Sequence, residues 1–202
     1  MAKKLPLSYY QQEDVVALSR DLLGKYLFTS INGEGLTGGI IVETEAYAGA
    51  TDKASHAHMN RFTNRTKIMY QAGGVAYVYL IYGFYYLLNF VTNTEGIPHA
   101  VLIRAIEPTD GIPIMLQRRK MTELLPKITA GPGVLTQALG INKSYNGEDL
   151  TGDTIWVEDR GLYYKDDEII ASPRVNVAYA KEDALLPWRF RVKGNKFTSP
   201  AK

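Results

Sequence analysis

The chain has 202 residues, 46% of them hydrophobic, enough for one well-buried core and too few for two independent domains. The absence of cysteine excludes a disulfide framework, thiolate metal sites and a cysteine nucleophile, while a formal net charge of +2 permits nucleic-acid binding without demanding it, so any basic face is local. The opening MAKKLPLSYYQQED turns polar at once and no later run is long enough to span a bilayer, so a cytoplasmic protein without a membrane partner is expected.

Residues 14–23 carry helical apolar spacing, an acidic start at Asp14 and Gly24 where a C-terminal cap belongs, which predicts an amphipathic helix. Residues 25–29 and 38–46 read as neighbouring strands, the second rich in β-branched residues, with Asn32-Gly33 and Gly38-Gly39 as turn formers. Residues 48–65 are polar and without a steady period, so they are expected to form a long ordered loop, a common place for function. The run 75–93 is strand-like on both sides of Gly83 and predicts an aromatic β-hairpin. Further on, 98–107 reads as a strand and 112–120 as a short helix with a basic end, and Gly131-Pro132-Gly133 opens a helix through Leu139. Residues 155–157, 175–177 and 188–192 alternate as strands. Strands interspersed irregularly with a few helices predict a single α+β domain over residues 1–202.

A strand period of two places Glu43, Glu45 and Tyr47 on one face, at a strand end beside the polar loop. A carboxylate there can act as a general base on water if a cation or hydrogen bonds keep it ionised, and Arg104 is a candidate partner; an acidic pair is more often a solvated strand face. His56 and His58 lack a third ligand at a recognisable spacing, which points to hydrogen bonding or stacking and not to a metal. Five of the 14 tyrosines fall between Tyr77 and Tyr86. Tyr77 and Tyr79 share a face and Tyr82 sits at the Gly83 turn, which suits stacking on bases as well as it suits an aromatic core strand. Arg61, Arg65 and Lys67, and the triplet Arg118-Arg119-Lys120, are candidates for phosphate contact or for plain solvated charge. The Gly131-Pro132-Gly133 start lacks the spacing of a nucleotide-binding loop, and Asn142-Lys143-Ser144 reads as a turn.

The segments IVETEAY, ASHAH, VAYVYLIYGFYYLLN, VLIRAIEP and GPGVLTQALGINKS, taken in order, cover much of the chain, and together they resemble the alkyladenine (3-methyladenine) DNA glycosylase family. The resemblance implies a compact mixed domain whose curved antiparallel sheet carries a protruding hairpin, with a few peripheral helices. It implies that Glu45 deprotonates the water that attacks the sugar's anomeric carbon and that Arg104 helps to hold both. Tyr47 and His56 then line one face of a flipped purine and Tyr79 the other, Asn89 discriminates against the amino group of ordinary guanine, and Tyr82 fills the gap left in the duplex. Arg61, Arg65 and Lys143 are the expected contacts to the DNA backbone. The implied partner is double-stranded DNA containing an alkylated or deaminated purine, bound by a monomer without metal or cofactor, and the implied product is an abasic site in an intact strand. Asn64 stands where a proline often follows the threonine, and Phe84 where methionine is common. Two competing readings are a non-catalytic nucleic-acid-binding module, in which Glu45 is merely structural, and an enzyme that uses the same acid, arginine and aromatic pocket on a small molecule or another nucleic acid.

Overall fold

In the computed structural model, which describes residues 3–200, the chain runs through β1 (Lys3–Lys4), α1 (Leu7–Tyr10), α2 (Val15–Asp21), β2 (Tyr26–Ser30), β3 (Leu36–Tyr47), β4 (Ala76–Ile81), β5 (Tyr85–Thr92), β6 (His99–Asp110), α3 (Ile112–Arg119), α4 (Pro132–Leu139), β7 (Ile155–Asp159), β8 (Ile169–Ser172) and β9 (Arg189–Val192). The strands form one antiparallel sheet in the order β1-β7-β2-β3-β6-β5-β4, with β9 beside β3 and β8 beside β9. This is the α+β architecture expected from the irregular alternation of elements. Among the described residues no helix is long and apolar enough to cross a membrane.

β3 organises the sheet. β6 runs along one of its edges from Gly38 to Tyr47, so β2, opposite Leu36 to Ile40, and β9, opposite Glu43 to Glu45, share the other. The change of partner coincides with register irregularities at Ile41/Glu43 and Glu43/Thr44, where the strand bends. One face of β3 packs on α2, to which the Thr44 hydroxyl donates a hydrogen bond at the Ser19 carbonyl (2.7 Å). The opposite face is left to Glu43 and Glu45. α2 starts where the acidic signal placed it, because the Asp14 carboxylate accepts from the backbone N–H groups of Val16 and Ala17 (3.0 and 2.9 Å). The main core gathers Ile41, Phe90, Val101, Ile103, Leu135 and Leu139 between the sheet and the helices.

The hairpin of β4 and β5 closes through Tyr82 and Gly83, both at positive φ (54° and 79°), with the Phe84 N–H donating to the Ile81 carbonyl (3.3 Å). Positive φ at two consecutive turn positions is the twist that a tight hairpin needs, and glycine supplies the second without steric cost. The tip projects: Tyr82 is 68% and Phe84 63% exposed.

Two expectations are corrected, and the first is the Gly38-Gly39 turn: the pair lies inside β3, opposite Phe28 and Leu27 of β2. Residues 175–177 form a turn and not a strand, with Asn176 at φ 59°, because the Val175 N–H is used on a side chain of β3 instead of a ladder partner. The strand of that region is β8, which lacks a clean alternation, and the helical turn α1 carries no cap signal. The segment 48–65 is ordered as expected, in short 3-10 turns at Gly49–Thr51 and His58–Asn60.

At Gly39 an added Cβ would lie 2.2 Å from the carbonyl oxygen of Glu107 on β6. Gly39→Ala is therefore expected to destabilise the protein by about 2–3 kcal/mol, since backbone must separate to admit the methyl group. A urea-unfolding midpoint equal to that of the wild type would contradict this.

Candidate active site

The two glutamates of β3 are fully buried, which demands counter-charge. β6 supplies Arg104, whose Nε–H donates to Glu43 Oε1 (2.7 Å) and whose Nη1 lies 3.2 Å from Glu45 Oε1. β9 supplies Arg189, donating to the same Glu43 oxygen (2.8 Å). Ser199 completes the cluster, its hydroxyl donating to Glu43 (2.8 Å) and accepting from Arg104 (3.2 Å). Burial alone would raise the Glu43 carboxyl, but Arg104, the Ser199 N–H and Arg189 outweigh it and hold the group below its ordinary value. For Arg104, burial works against the charge, yet Glu45 and Glu43 more than compensate and raise it.

Glu45 differs from Glu43 in facing a cavity of about 700 Å³. Its Oε1 accepts the Val175 N–H (2.8 Å) and its Oε2 accepts the Tyr47 hydroxyl (2.7 Å). Burial, followed by the adjacent Glu45, pushes the Tyr47 phenol well above its usual range, so the ring stays neutral and donates. The turn that brings Val175 is fixed by Arg174, whose guanidinium pairs with buried Asp52 from the long loop (Nη2 to Oδ1, 2.9 Å) and lies 4.8 Å from the Tyr47 ring centre.

The far wall comes from the hairpin and the long loop. Tyr77 and Tyr79, on one face of β4, place their ring centres 5.1 Å apart, and His56 meets Tyr79 edge-on at 4.8 Å. Asn89 lies opposite Tyr77 on β5 and is 97% buried, its amide donating to the Tyr77 carbonyl (3.2 Å). Arg65 folds back on this wall. Its Nε–H donates to the Tyr77 hydroxyl (3.2 Å), its Nη2–H to His56 Nε2 (3.1 Å), and its guanidinium carbon is 4.6 Å from the Tyr79 ring centre. His56 Nδ1 is 2.9 Å from the Tyr77 oxygen. With Nε2 accepting from Arg65, the Nδ1–H tautomer donates to Tyr77.

Glu45, Tyr47, His56, Tyr79, Asn89 and Arg104 thus converge on one cavity, with Tyr82 at its rim. Arg61 and Lys143 do not line it. They are exposed, Lys143 in the turn Lys143–Tyr145 after α4. Arg65, expected to meet the DNA backbone, belongs to the cavity wall. Among the described residues no three His, Asp or Glu side chains are grouped to hold a metal, and His58 instead hydrogen-bonds the Ala50 carbonyl (3.1 Å). Arg189, Ser199, Arg174 and the Val175 N–H were not singled out from sequence. They lie about 130 or more residues from the β3 groups they serve, or 122 in the pairing with Asp52, and no spacing signal reaches that far.

A family model described as methylpurine-DNA glycosylase matches residues 8–196. The chain is 46% identical to a protein of Alkaliphilus oremlandii named "Putative 3-methyladenine DNA glycosylase", over 97% of this chain and 98% of the relative. Proteins of the same name from Chlamydia felis and Bacillus cereus are 45% and 43% identical, covering 92% and 96% of this chain and 94% and 98% of theirs.

The cavity electrostatics can be checked at His56. Burial first, then Arg65 and Arg61, lower its imidazole from 6.5 to about 4. The unfolded chain therefore takes up this proton before the folded one does, and the stability linked to His56 is complete above pH 6.5 and is lost as pH falls towards about 4. Nitrogen-15 NMR of the ring is expected to show the Nδ1–H tautomer with a midpoint near 4; a midpoint at the ordinary value of 6.5 would refute the contact with Arg65.

Proposed function

The chain belongs to the methylpurine-DNA glycosylase family and is a DNA glycosylase, a hydrolase of N-glycosyl bonds, and from that premise we propose that it extrudes an alkylated or deaminated purine from duplex DNA and releases it with a water activated by Glu45. The observation that carries this reading is the setting of Glu45. It is a sealed carboxylate at the cavity floor, with Oε1 held by Val175 and Arg104 and Oε2 by Tyr47. Its orientation is fixed from two sides, which is what a general base needs before substrate arrives.

In this mechanism a water beside Glu45 attacks C1′ of the extruded nucleotide. The bond from C1′ to the purine nitrogen breaks and its electron pair leaves with the base, while the water proton passes to Glu45. For the cationic 3-methyladenine and 7-methylguanine the base departs neutral and no acid is needed, whereas hypoxanthine and ethenoadenine must gain a proton. Arg104 steadies Glu45 and the developing charge. Tyr47 and His56 line one face of the purine and Tyr79 the other, an arrangement supported by their placement around a single cavity. Asn89 serves selection, because an amide 97% buried can reject a base whose polar edge it fails to satisfy.

Extrusion costs a few kcal/mol in lost stacking and pairing. Tyr82 offsets part of this by entering the vacated space, as its 68% exposure at a protruding turn allows. Arg61 and Lys143, exposed outside the cavity, are proposed to meet phosphates. The protein is proposed to act as a monomer. Among the described residues no lysine lines the cavity, which supports an abasic site in an uncut strand as the product.

Single-turnover assays on duplexes with one hypoxanthine, ethenoadenine or 7-methylguanine, followed by alkali cleavage, test the proposal. Glu45→Gln is expected to slow base release by at least about 100-fold, the usual contribution of a positioned base, with affinity for the damaged duplex retained. Unchanged turnover would remove Glu45 from the chemistry. Tight binding with no release by the wild type would favour a binding module.

A further inference from the structure

The long loop returns a charged side chain to the cavity for which the proposed chemistry has no use. Arg65 carries a permanent positive charge. It has three anchors: the Tyr77 hydroxyl, His56 Nε2 and the Tyr79 ring. The anchors are themselves held. Tyr77 is 2% exposed on β4, and His56 is tied to Tyr77 through Nδ1. Arg61, in the same loop, adds a second positive charge near His56, one that contributes with Arg65 to the lowering of that imidazole.

We infer that Arg65 is a charge filter: a guanidinium fixed in the cavity wall against Tyr79, which disfavours cationic alkylpurines relative to neutral damaged purines. The inference rests on the proposed function, since it assumes that the purine stacks against Tyr79. A base on that ring has the guanidinium as a neighbour across the wall, and because Arg65 is itself exposed, solvent screens part of the charge. A neutral purine gains from the aromatic wall and meets no repulsion. A purine with a fixed positive charge gains the same stacking and loses part of it to Arg65, because two like charges attract the same π-face and repel each other through space. With Arg65 and Arg61 nearby, His56 is uncharged at neutral pH, so it adds no further repulsion, and Arg65 is the dominant discriminating charge in the wall. The counter-charge available, Glu45 and Glu43, is already engaged by Arg104 and Arg189.

The filter acts on binding of the base. It is read by equilibrium titration of the full chain with duplexes that resist cleavage, each with one 2′-fluoro nucleotide carrying either cationic 7-methylguanine or neutral hypoxanthine. Arg65→Gln keeps a hydrogen-bonding side chain and removes the charge; it is expected to tighten binding of the 7-methylguanine duplex about threefold relative to the hypoxanthine duplex, the order expected for one unit charge partly screened by solvent. Arg65→Lys keeps the charge and is expected to keep the wild-type ratio. Equal weakening of both duplexes by Arg65→Gln would make Arg65 a phosphate contact and overturn the filter. So would an Arg65→Lys ratio that matches Arg65→Gln, which would make shape the cause. Failure of the wild type to prefer either damaged duplex over an undamaged one would overturn the base-binding reading itself, and the filter with it. That outcome is distinct from the others, because it appears before any substitution at Arg65.

Discussion

Two glutamates on one face of β3 place two negative charges inside a protein core, and much of the site follows from the need to neutralise them. An uncompensated buried charge costs several kcal/mol, and removal of one partner from a buried pair typically costs about 3–5 kcal/mol. Here the compensation is drawn from β6 through Arg104, from β9 through Arg189 and from Ser199 near the end of the described chain. The result is an electrically balanced quartet of two acids and two arginines. It ties three strands together at the point where β3 exchanges β2 for β9.

The quartet divides labour between carboxylates that look alike in sequence. Glu43 is surrounded by four donors from Arg104, Arg189 and Ser199, three on Oε1 and one on Oε2, and does not line the cavity. Glu45 has Arg104 as its one cation and opens on the cavity. The inner acid therefore anchors Arg104, and Arg104 in turn steadies the outer acid. A site of this design is stiff before substrate arrives, and stiffness is what allows one side chain to orient a water without reorganisation.

The long loop is organised by a second buried pair. Arg174 and Asp52 are both within the interior, and the Asp52 carboxylate also accepts the backbone N–H groups of Ala48 and Ala54. A polar loop that lacks periodic hydrophobic residues is thereby held by charge and backbone hydrogen bonds. It presents His56 to Tyr79, and through Asp52 and Arg174 it fixes the turn that sets the Val175 N–H against Glu45. The same loop folds Arg65 back on the cavity wall, where it holds Tyr77 and His56 while staying exposed.

Local rules were sufficient for much of the framework. The period of two put Glu43, Glu45 and Tyr47 on one face; the Asp14 cap, the Gly83 turn and the Gly131-Pro132-Gly133 helix start are chemical signals acting over a few residues, and each appears where the chain places it. The resemblance carried by five short segments, in order, pointed to the family and to the residues that surround the cavity. Sequence alone left open whether Glu43 and Glu45 were buried or solvated, and whether Arg65 faced phosphate or base. It also misread 175–177 as a strand, since an alternating apolar pattern carries no notice that the N–H of its first residue, Val175, will be spent on a distant carboxylate. The burial of Glu43 depends on partners 61 to 156 residues away, Arg104, Arg189 and Ser199, whereas Arg65 is held by His56 and Tyr77, 9 and 12 residues away. Burial and charge pairing are properties of the folded neighbourhood, so only the tertiary structure decided which acid is structural, which faces the cavity, and where the guanidinium of Arg65 rests.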